Sequence, residues 1–415
     1  MLSADEWNDR IVMIEQLRRQ SGVQVFEPSD GSVAAAVVRP ENMASACEVV
    51  RLVRDGGHEL VPVGARTKLH WTSAPRGPFV EMDMRGLSRV VEYSPEDMTI
   101  MVEAGISLAD LSELLANSGQ RVTLDPPHAA TATIGGVLAT NDSGPARLAY
   151  GTARDVVIGM SMIEPDGGII KSGGKVVKNV AGYDLHKLFI GSFGTMGPIA
   201  TVTFKLRPLP QARAFVVLEP RNAADAERMI ADTLAGETRP TMIELLNACM
   251  ARTLGLSARL TLIIGFEENA EAVSWQCAAV VRQSGGQPVI AADADQLYQK
   301  LREAAGGACP TSFKASLLSS EVAGFIEQLE SLPVRAIARA GNGIVYGLLE
   351  GDLDEAAWGE LEAAATIAQG SLQIRGRAPG SFVRRFGRRR SDTHLSEAIQ
   401  QAFDPEGTFA PERLA

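Results

Sequence analysis

Val61-Pro62-Val63-Gly64-Ala65-Arg66-Thr67-Lys68-Leu69 is the stretch from which the fold is read. The run from Glu59 to Val63 reads as a strand, and Gly64-Ala65 ends it with almost no side chain. Small residues let successive backbone N–H groups converge on one anion, and Arg66, Thr67 and Lys68 add donors suited to a diphosphate. Just upstream, Val33–Val38 reads as a strand. Glu41–Asp55 follows as a helix, with Met43, Cys47, Val50 and Val53 at helical spacing and Gly56-Gly57 as its stop. This β-α-β order predicts a parallel strand pair with the loop at its carboxyl end, where ligands usually bind.

Two more glycine-rich elements follow. Ala132-Thr133-Ile134-Gly135-Gly136-Val137-Leu138-Ala139-Thr140-Asn141-Asp142-Ser143-Gly144 is small and hydroxyl-rich, so a flat aromatic ligand can press against main chain. Gly191-Ser192-Phe193-Gly194-Thr195-Met196-Gly197-Pro198-Ile199 is the third. Any one alone is more often a tight turn. Three across a single α/β region favour an extended dinucleotide. The region has no Gly-x-Gly-x-x-Gly after a strand, so the ligand is not held in a Rossmann site. Gly168–Lys175 breaks the spacing of a phosphate-binding P-loop and lacks its hydroxyl. No nucleophile elbow and no His-Glu-x-x-His helix occurs, so simple hydrolase readings start weak.

Composition narrows the class. The chain has 415 residues, 45% hydrophobic and 22% charged, enough for two or three domains. A net charge of −10 argues against general nucleic-acid binding. Asp5, Glu6 and Asp9 stand where a secretory signal would be basic, and no apolar run approaches the roughly 20 residues of a membrane span. The expected location is the cytoplasm, peripheral to the membrane at most through a partner. Cys47, Cys249, Cys277 and Cys309 are scattered, unlike a zinc or iron–sulfur ligand set. Electrons leaving for an iron–sulfur cluster would need another chain to supply it.

The expected organisation is an N-terminal helix in 1–28, a ligand domain at 29–210, an α+β domain at 211–392 and a terminal helix and tail at 393–415. Leu108–Ser118 reads as a helix capped by Ser107, and 240–254 as another. Beyond Arg207-Pro208-Leu209-Pro210 the rhythm is that of helices on one face of an antiparallel sheet, without internal repeat.

The order of elements over roughly residues 30–210 resembles the FAD-binding domain of the vanillyl-alcohol oxidase and p-cresol methylhydroxylase (PCMH) superfamily. The closing Phe403-Asp404-Pro405-Glu406-Gly407-Thr408-Phe409-Ala410-Pro411 is similar to that family's C-terminal signature. Lys175-Val176-Val177-Lys178-Asn179-Val180-Ala181-Gly182-Tyr183-Asp184-Leu185 resembles the bacterial glycolate oxidase group, its FAD-binding E subunits above all. The resemblance implies a two-subdomain PCMH-type domain followed by an α+β, ferredoxin-like cap. It implies FAD held with its pyrophosphate against Gly64, Ala65, Arg66, Thr67, Lys68 and Leu69. Pro126, Thr133, Gly135, Gly136, Thr140, Asn141 and Gly144 would line the flavin and ribityl side, and Ile199, with Val202, the adenine end. Relatives that attach flavin covalently use a His where Thr67 stands, so non-covalent FAD is expected.

Relatives acting on 2-hydroxy acids carry a His-x-Gly-Asp-Gly-Asn-x-His element whose histidines hold a metal. Its counterpart here is Arg339-Ala340-Gly341-Asn342-Gly343-Ile344-Val345-Tyr346. Arg cannot ligate a metal, so no metal site is expected and the catalytic residues stay unassigned. Of five histidines only His128 lies beside the flavin region. Arg375, Arg377, Arg384, Arg385, Arg388, Arg389 and Arg390 put seven arginines in 16 residues, with Phe382 and Phe386 among them: a solvated face, or a dock for an acidic partner subunit or for anionic lipid headgroups. By resemblance the chain is the FAD subunit of a complex that oxidises glycolate to glyoxylate. A second flavoprotein and an iron–sulfur subunit would be its partners, and a quinone pool the acceptor. The rivals are a free-standing D-lactate-type oxidoreductase and a flavin-stabilised scaffold.

Overall fold

The structure, a computed structural model, describes residues 12–28, 34–73, 75, 79–175, 183–306, 309, 311–351, 353–376 and 393–414. The first sheet runs in the order Val23–Phe26, Ala36–Pro40, Phe79–Asp83, Glu59–Val63. Ala36–Pro40 and Glu59–Val63 are parallel but not adjacent. Phe79–Asp83 lies between them, parallel to both. The β-α-β reading therefore had the direction right and the pairing wrong, because the strand that fills the gap arrives only after the loop.

The helix between those strands, Met43–Asp55, starts where Asn42 Oδ1 accepts from Ser45 N and Ser45 Oγ accepts from Asn42 N. It buries Ala46, Val49, Val50 and Val53 at a spacing that makes one face. Each of the three valines contributes roughly 1.5–3 kcal/mol on burial.

A second sheet, antiparallel throughout, runs Val90–Ser94, Thr99–Glu103, Ile199–Lys205, Val157–Ile163, Ile169–Gly173. Ile163 and Ala200 join the core of the first sheet and tie the two together. The C-terminal segment closes the free edge of the first sheet. Leu60 N donates to Thr408 O at 2.7 Å, Asp404 caps the N–H groups of Thr408 and Phe409, and the Phe409 ring is fully buried.

Beyond residue 210 lies one eight-stranded antiparallel sheet: Gln287–Ile290, Ala212–Leu218, Thr261–Glu268, Met242–Leu246, Val334–Arg339, Ile344–Leu349, Thr311–Ser316, Ser371–Gly376. Each half is a β-α-β-β-α-β unit, and the second strands of the two units meet in the middle, where Leu245 opposes Ala338. The two halves share one topology, although no repeat is visible in the sequence. Residues 240–254, expected as one helix, are the strand Met242–Leu246 followed by the helix Ala248–Thr253. Met242, Ile243, Leu245 and Leu246 are buried on both faces of the strand, and such a continuous apolar run fits helix or strand equally.

Helices are not confined to one face either. Ala223–Ala235, Ala270–Ser284, Val322–Gln328 and Glu355–Ile367 cover one side. The other side is shared by Ala248–Thr253, Ala291–Ala304 and residues Ala146 and Tyr150 of the first domain. That second side is the one that matters for the site.

Candidate functional site

The three glycine-rich elements converge on one cleft between the first two sheets. Pro62, Val63 and Gly64 form one side, Thr133, Gly135 and Gly136 a second, and Gly194, Gly197, Pro198 and Ile199 a third. The cleft encloses about 380 Å³, part of it open to solvent. Its elements touch only because side chains are missing. A methyl group on Gly64 would fall 2.0 Å from Thr133 Oγ1, and one on Gly135 would stand 3.1 Å from the Ala104 carbonyl oxygen. Thr133 starts the helix Ile134–Thr140 by accepting from Gly136 N.

The donor set fits a diphosphate. Among the described residues no acceptor takes the five consecutive backbone N–H groups of Gly64 to Lys68. Consecutive backbone N–H groups that the fold leaves free are available to a ligand's oxygens.

Gly64, Thr133, Gly135, Gly136 and Ile199 thus line the cleft, and the others take different places. Ala65, Thr67 and Leu69 are half-buried on the same loop. Arg66, in a left-handed conformation, turns its guanidinium onto Glu81, with Nε 2.9 Å from Oε2. Lys68 turns inward instead, its Nζ 3.4 Å from Asp142 Oδ2. Thr140 spends its hydroxyl on Gly136 O. Asn141 ends the helix in a left-handed turn with its Oδ1 buried and unbonded. Pro126 is buried, Gly144 packs on Asp125, and Val202 sits wholly in the core. His128 holds the domain seam, its N–H donating to Glu303 Oε2 at 2.7 Å. Met84, Ala104 and Ala139 also line the cleft and were missed, since nothing separates them in sequence from ordinary core residues.

A second constellation was missed more completely. Pleat alternation puts Glu244, Lys314, Arg339, Tyr346 and Arg375 on the side of the large sheet that faces the first domain. Glu244 opposes Arg339 across the central strand pair, and the two form a wholly buried ion pair. Burial pushes the Glu244 carboxyl up to about 7 against the pull of Arg339. Tyr346 stands opposite Lys314. Arg375 is 4% exposed and lies 3.5 Å over the Trp71 ring, just past the Gly64 loop.

Arg375 is therefore no part of a solvated or docking face, which corrects the surface reading of that residue. Arg377, Arg384, Arg385, Arg388, Arg389 and Arg390, with Phe382 and Phe386, lie outside the described residues, as do 176–182. The available signal was a basic residue inside an alternating strand, Phe313-Lys314-Ala315 and Ile374-Arg375.

The charges are unbalanced. Among the described residues no carboxylate bonds Arg375, whose Nε has no partner among them, and none bonds Lys314. Asp142 is the acid that bears on both, and Lys68 already engages it. Desolvation draws Arg375 below its ordinary range and, with Arg375 and Arg147 beside it, Lys314 down to about 7. Burying one cation and half-burying a second without a bonded carboxylate is costly, so the arrangement asks for an anion.

It does not ask for a metal. Arg339 cannot ligate one, and burial holds the Tyr346 phenol above its usual range. Among the described residues no group of three His, Cys, Asp or Glu is placed to hold a metal ion. Also among them, no helix is long and apolar enough to cross a membrane.

Comparison with known proteins agrees with this geometry. Residues 34–173 match the family model "FAD binding domain". Glycolate oxidase subunit GlcD of Bacillus subtilis is 25% identical over 451 residues, covering 96% of each chain. Glycolate oxidase subunit GlcE of Escherichia coli is 37% identical over 132 residues, 32% of this chain and 38% of that one. A mitochondrial D-lactate dehydrogenase (cytochrome) of Arabidopsis thaliana is 33% identical over 227 residues, 54% of this chain and 40% of its own. A solved structure of alkyldihydroxyacetonephosphate synthase shares the fold, with a TM-score of 0.67 at 18% identity over 91% of this chain and 76% of that one.

Proposed function

We propose that this chain is an FAD-linked oxidoreductase of small 2-hydroxy acids, acting as the FAD-carrying, E-type subunit of a glycolate oxidase assembly. The single observation that carries the substrate class is the buried, unpaired Arg375 with Lys314 at the seam beside the FAD cleft. Relatives named for glycolate, D-lactate and D-2-hydroxyglutarate support it, since all three are 2-hydroxy carboxylates. FAD, when bound, supplies a two-electron acceptor.

The chain's residues do the rest. The amides of Gly64 to Lys68 hold the diphosphate, and Gly135 and Gly136 bring main chain against the ring system. Arg375, held flat on Trp71, takes the substrate carboxylate in its guanidinium fork. No Lewis acid takes part, because Arg339 is closed onto Glu244. The 37% identity to GlcE and the missing histidines favour the E type, and electrons pass on through partner subunits, one carrying iron–sulfur clusters, to a quinone pool. A free-standing D-lactate oxidoreductase is the second reading. A D-lactate dehydrogenase of Anaerostipes hadrus aligns over 91% of this chain at 24% identity.

The test is anaerobic mixing of the FAD-loaded protein with glycolate or D-lactate. Bleaching of the flavin band, unchanged by chelator, is expected. A flavin that neither acid bleaches, alone or with its partner subunits, overturns the reading.

A further inference from the structure

We propose that Lys314, as a neutral amine, is the base that takes the hydroxyl proton of the substrate. The inference rests on the 2-hydroxy-acid reading above. Oxidising such an acid removes a proton from oxygen as well as a hydride from carbon, and the groups around Arg375 offer few acceptors.

Elimination works residue by residue. Arginines stay charged and accept nothing. Glu244 is closed onto Arg339, and Asp142 faces the Lys68 ammonium at 3.4 Å, a charge that holds its carboxylate a poor base. The Tyr346 phenol, raised by burial, is a donor. No histidine is among the groups whose charge bears on Lys314. The His186 ring is held by Ser172, and His128 lies at the seam, where its backbone N–H donates to Glu303. Lys314 is left, directly across the strand pair from Tyr346 and one strand from Arg375 on the same face.

Its surroundings set its protonation. Burial and the charges of Arg375 and Arg147 disfavour the ammonium, Asp142 alone opposes them, and the group titrates at about 7. A neutral amine is therefore present at and above neutrality. An arriving carboxylate on Arg375 cancels part of the repulsion and raises the basicity of Lys314 at the moment a proton is to be received.

The step balances as follows. The substrate O–H bond breaks and its proton forms a new N–H bond with the Nζ lone pair. The C2–H bond breaks with its electron pair, for which FAD, when bound, would be the two-electron acceptor. The C2–O bond becomes a carbonyl, so the acid loses two electrons, FAD gains them, and the ammonium returns its proton to solvent.

Two measurements on the FAD-loaded protein test this, with Lys314→Arg and Lys314→Met each checked for FAD content. Flavin reduction by glycolate or D-lactate in the wild type should rise with pH up to about 7 and then level off. Both variants should lose about 10²–10⁴-fold in that rate. Calorimetric binding of oxalate, which cannot be oxidised this way, should weaken in the wild type as pH rises through about 7. Lys314→Arg should bind oxalate well with no break there, and Lys314→Met weakly with no break. Wild-type rates in Lys314→Arg, or oxalate binding by the wild type without that break, overturn the proposal and leave the functional reading standing. A wild-type flavin that no 2-hydroxy acid reduces overturns both.

Discussion

At Gly64 and Gly144 the first domain has no room for a methyl group, and at Gly135 little, whereas the sheet facing it presents Glu244, Lys314, Arg339 and Arg375. The first wall binds with main chain. Among the described residues nothing accepts the amides of Gly64 to Lys68, and the selectivity of this wall is one of shape. The second wall binds with long side chains whose charges the chain leaves partly unbalanced. A cofactor that never leaves suits the first kind of surface. A small anion that must enter, react and depart suits the second, because an unmet charge gives strong attraction without permanent enclosure.

The largest effect should come from filling the first wall. Gly135→Val drives branched carbons toward Ala104 and into the cleft, and should lower FAD content more than about tenfold while the far sheet stays folded. Flavin absorbance per protein after gel filtration measures it. Full occupancy in that variant would mean that the second loop is not against the cofactor. The same preparation of wild type should release intact FAD on acid precipitation, since Thr67 offers no covalent link.

Next comes the balanced pair on the second wall. Glu244→Ala strands the Arg339 guanidinium in the sheet centre and should cost about 3–5 kcal/mol of stability. Glu244→Leu with Arg339→Met together should recover most of it, as read by chemical denaturation. Equal loss in the single and double variants would show that the pair is not closed, and would return Arg339 to the substrate's side of the argument.

Arg375→Met should leave FAD content intact and reduce kcat/KM for glycolate or D-lactate about 10–100-fold, the worth of a charged hydrogen bond. A loss confined to FAD content would move Arg375 to the cofactor's diphosphate and erase the distinction between the walls.

The two walls also differ in how far they could be read from sequence. Gly64, Gly135 and Gly136 announce themselves, because a residue without a side chain in a strand-end loop has few uses. Local order was equally plain at Ser107, whose side chain caps a helix, whereas Asn42, read as lying inside the first helix, is its cap. The second wall is assembled by register. Lys314 meets Tyr346, and Glu244 meets Arg339, only because strands far apart in the chain pair in one alignment. No local signal encodes that. The run Met242–Leu246 was misread as helix for a related reason: burial on both faces erases the period that separates strand from helix. Arg375 was misassigned by its neighbours, since a count of nearby arginines says nothing about which one enters a strand.

The smallest effect is on stability, and it separates the unbalanced charge from the balanced one. Lys314 titrates at about 7 when folded, below the 10.5 of a free lysine, so it is a group whose folded value is depressed. Such a group favours the native state fully only above its unfolded value, and that contribution is lost as pH falls toward the folded value. Replacing it with Met removes the penalty. Lys314→Met should therefore melt higher than wild type at neutral pH, by roughly 2–4 °C for each kcal/mol regained. The gain should be flat below about pH 7 and should shrink steadily as pH climbs toward 10.5. Thermal melts of both proteins, FAD-loaded, across that range provide the comparison, and oxalate should narrow the gap by stabilising the wild type more. The Glu244–Arg339 double variant should show no such dependence in the same alkaline window, because Glu244 titrates no higher than about 7 and Arg339 stays charged throughout. A Lys314→Met protein that melts lower than wild type at neutral pH would mean that a carboxylate of the chain already balances Lys314. The second wall would then be as closed as the pair at its centre, with no charge left over to draw a substrate in.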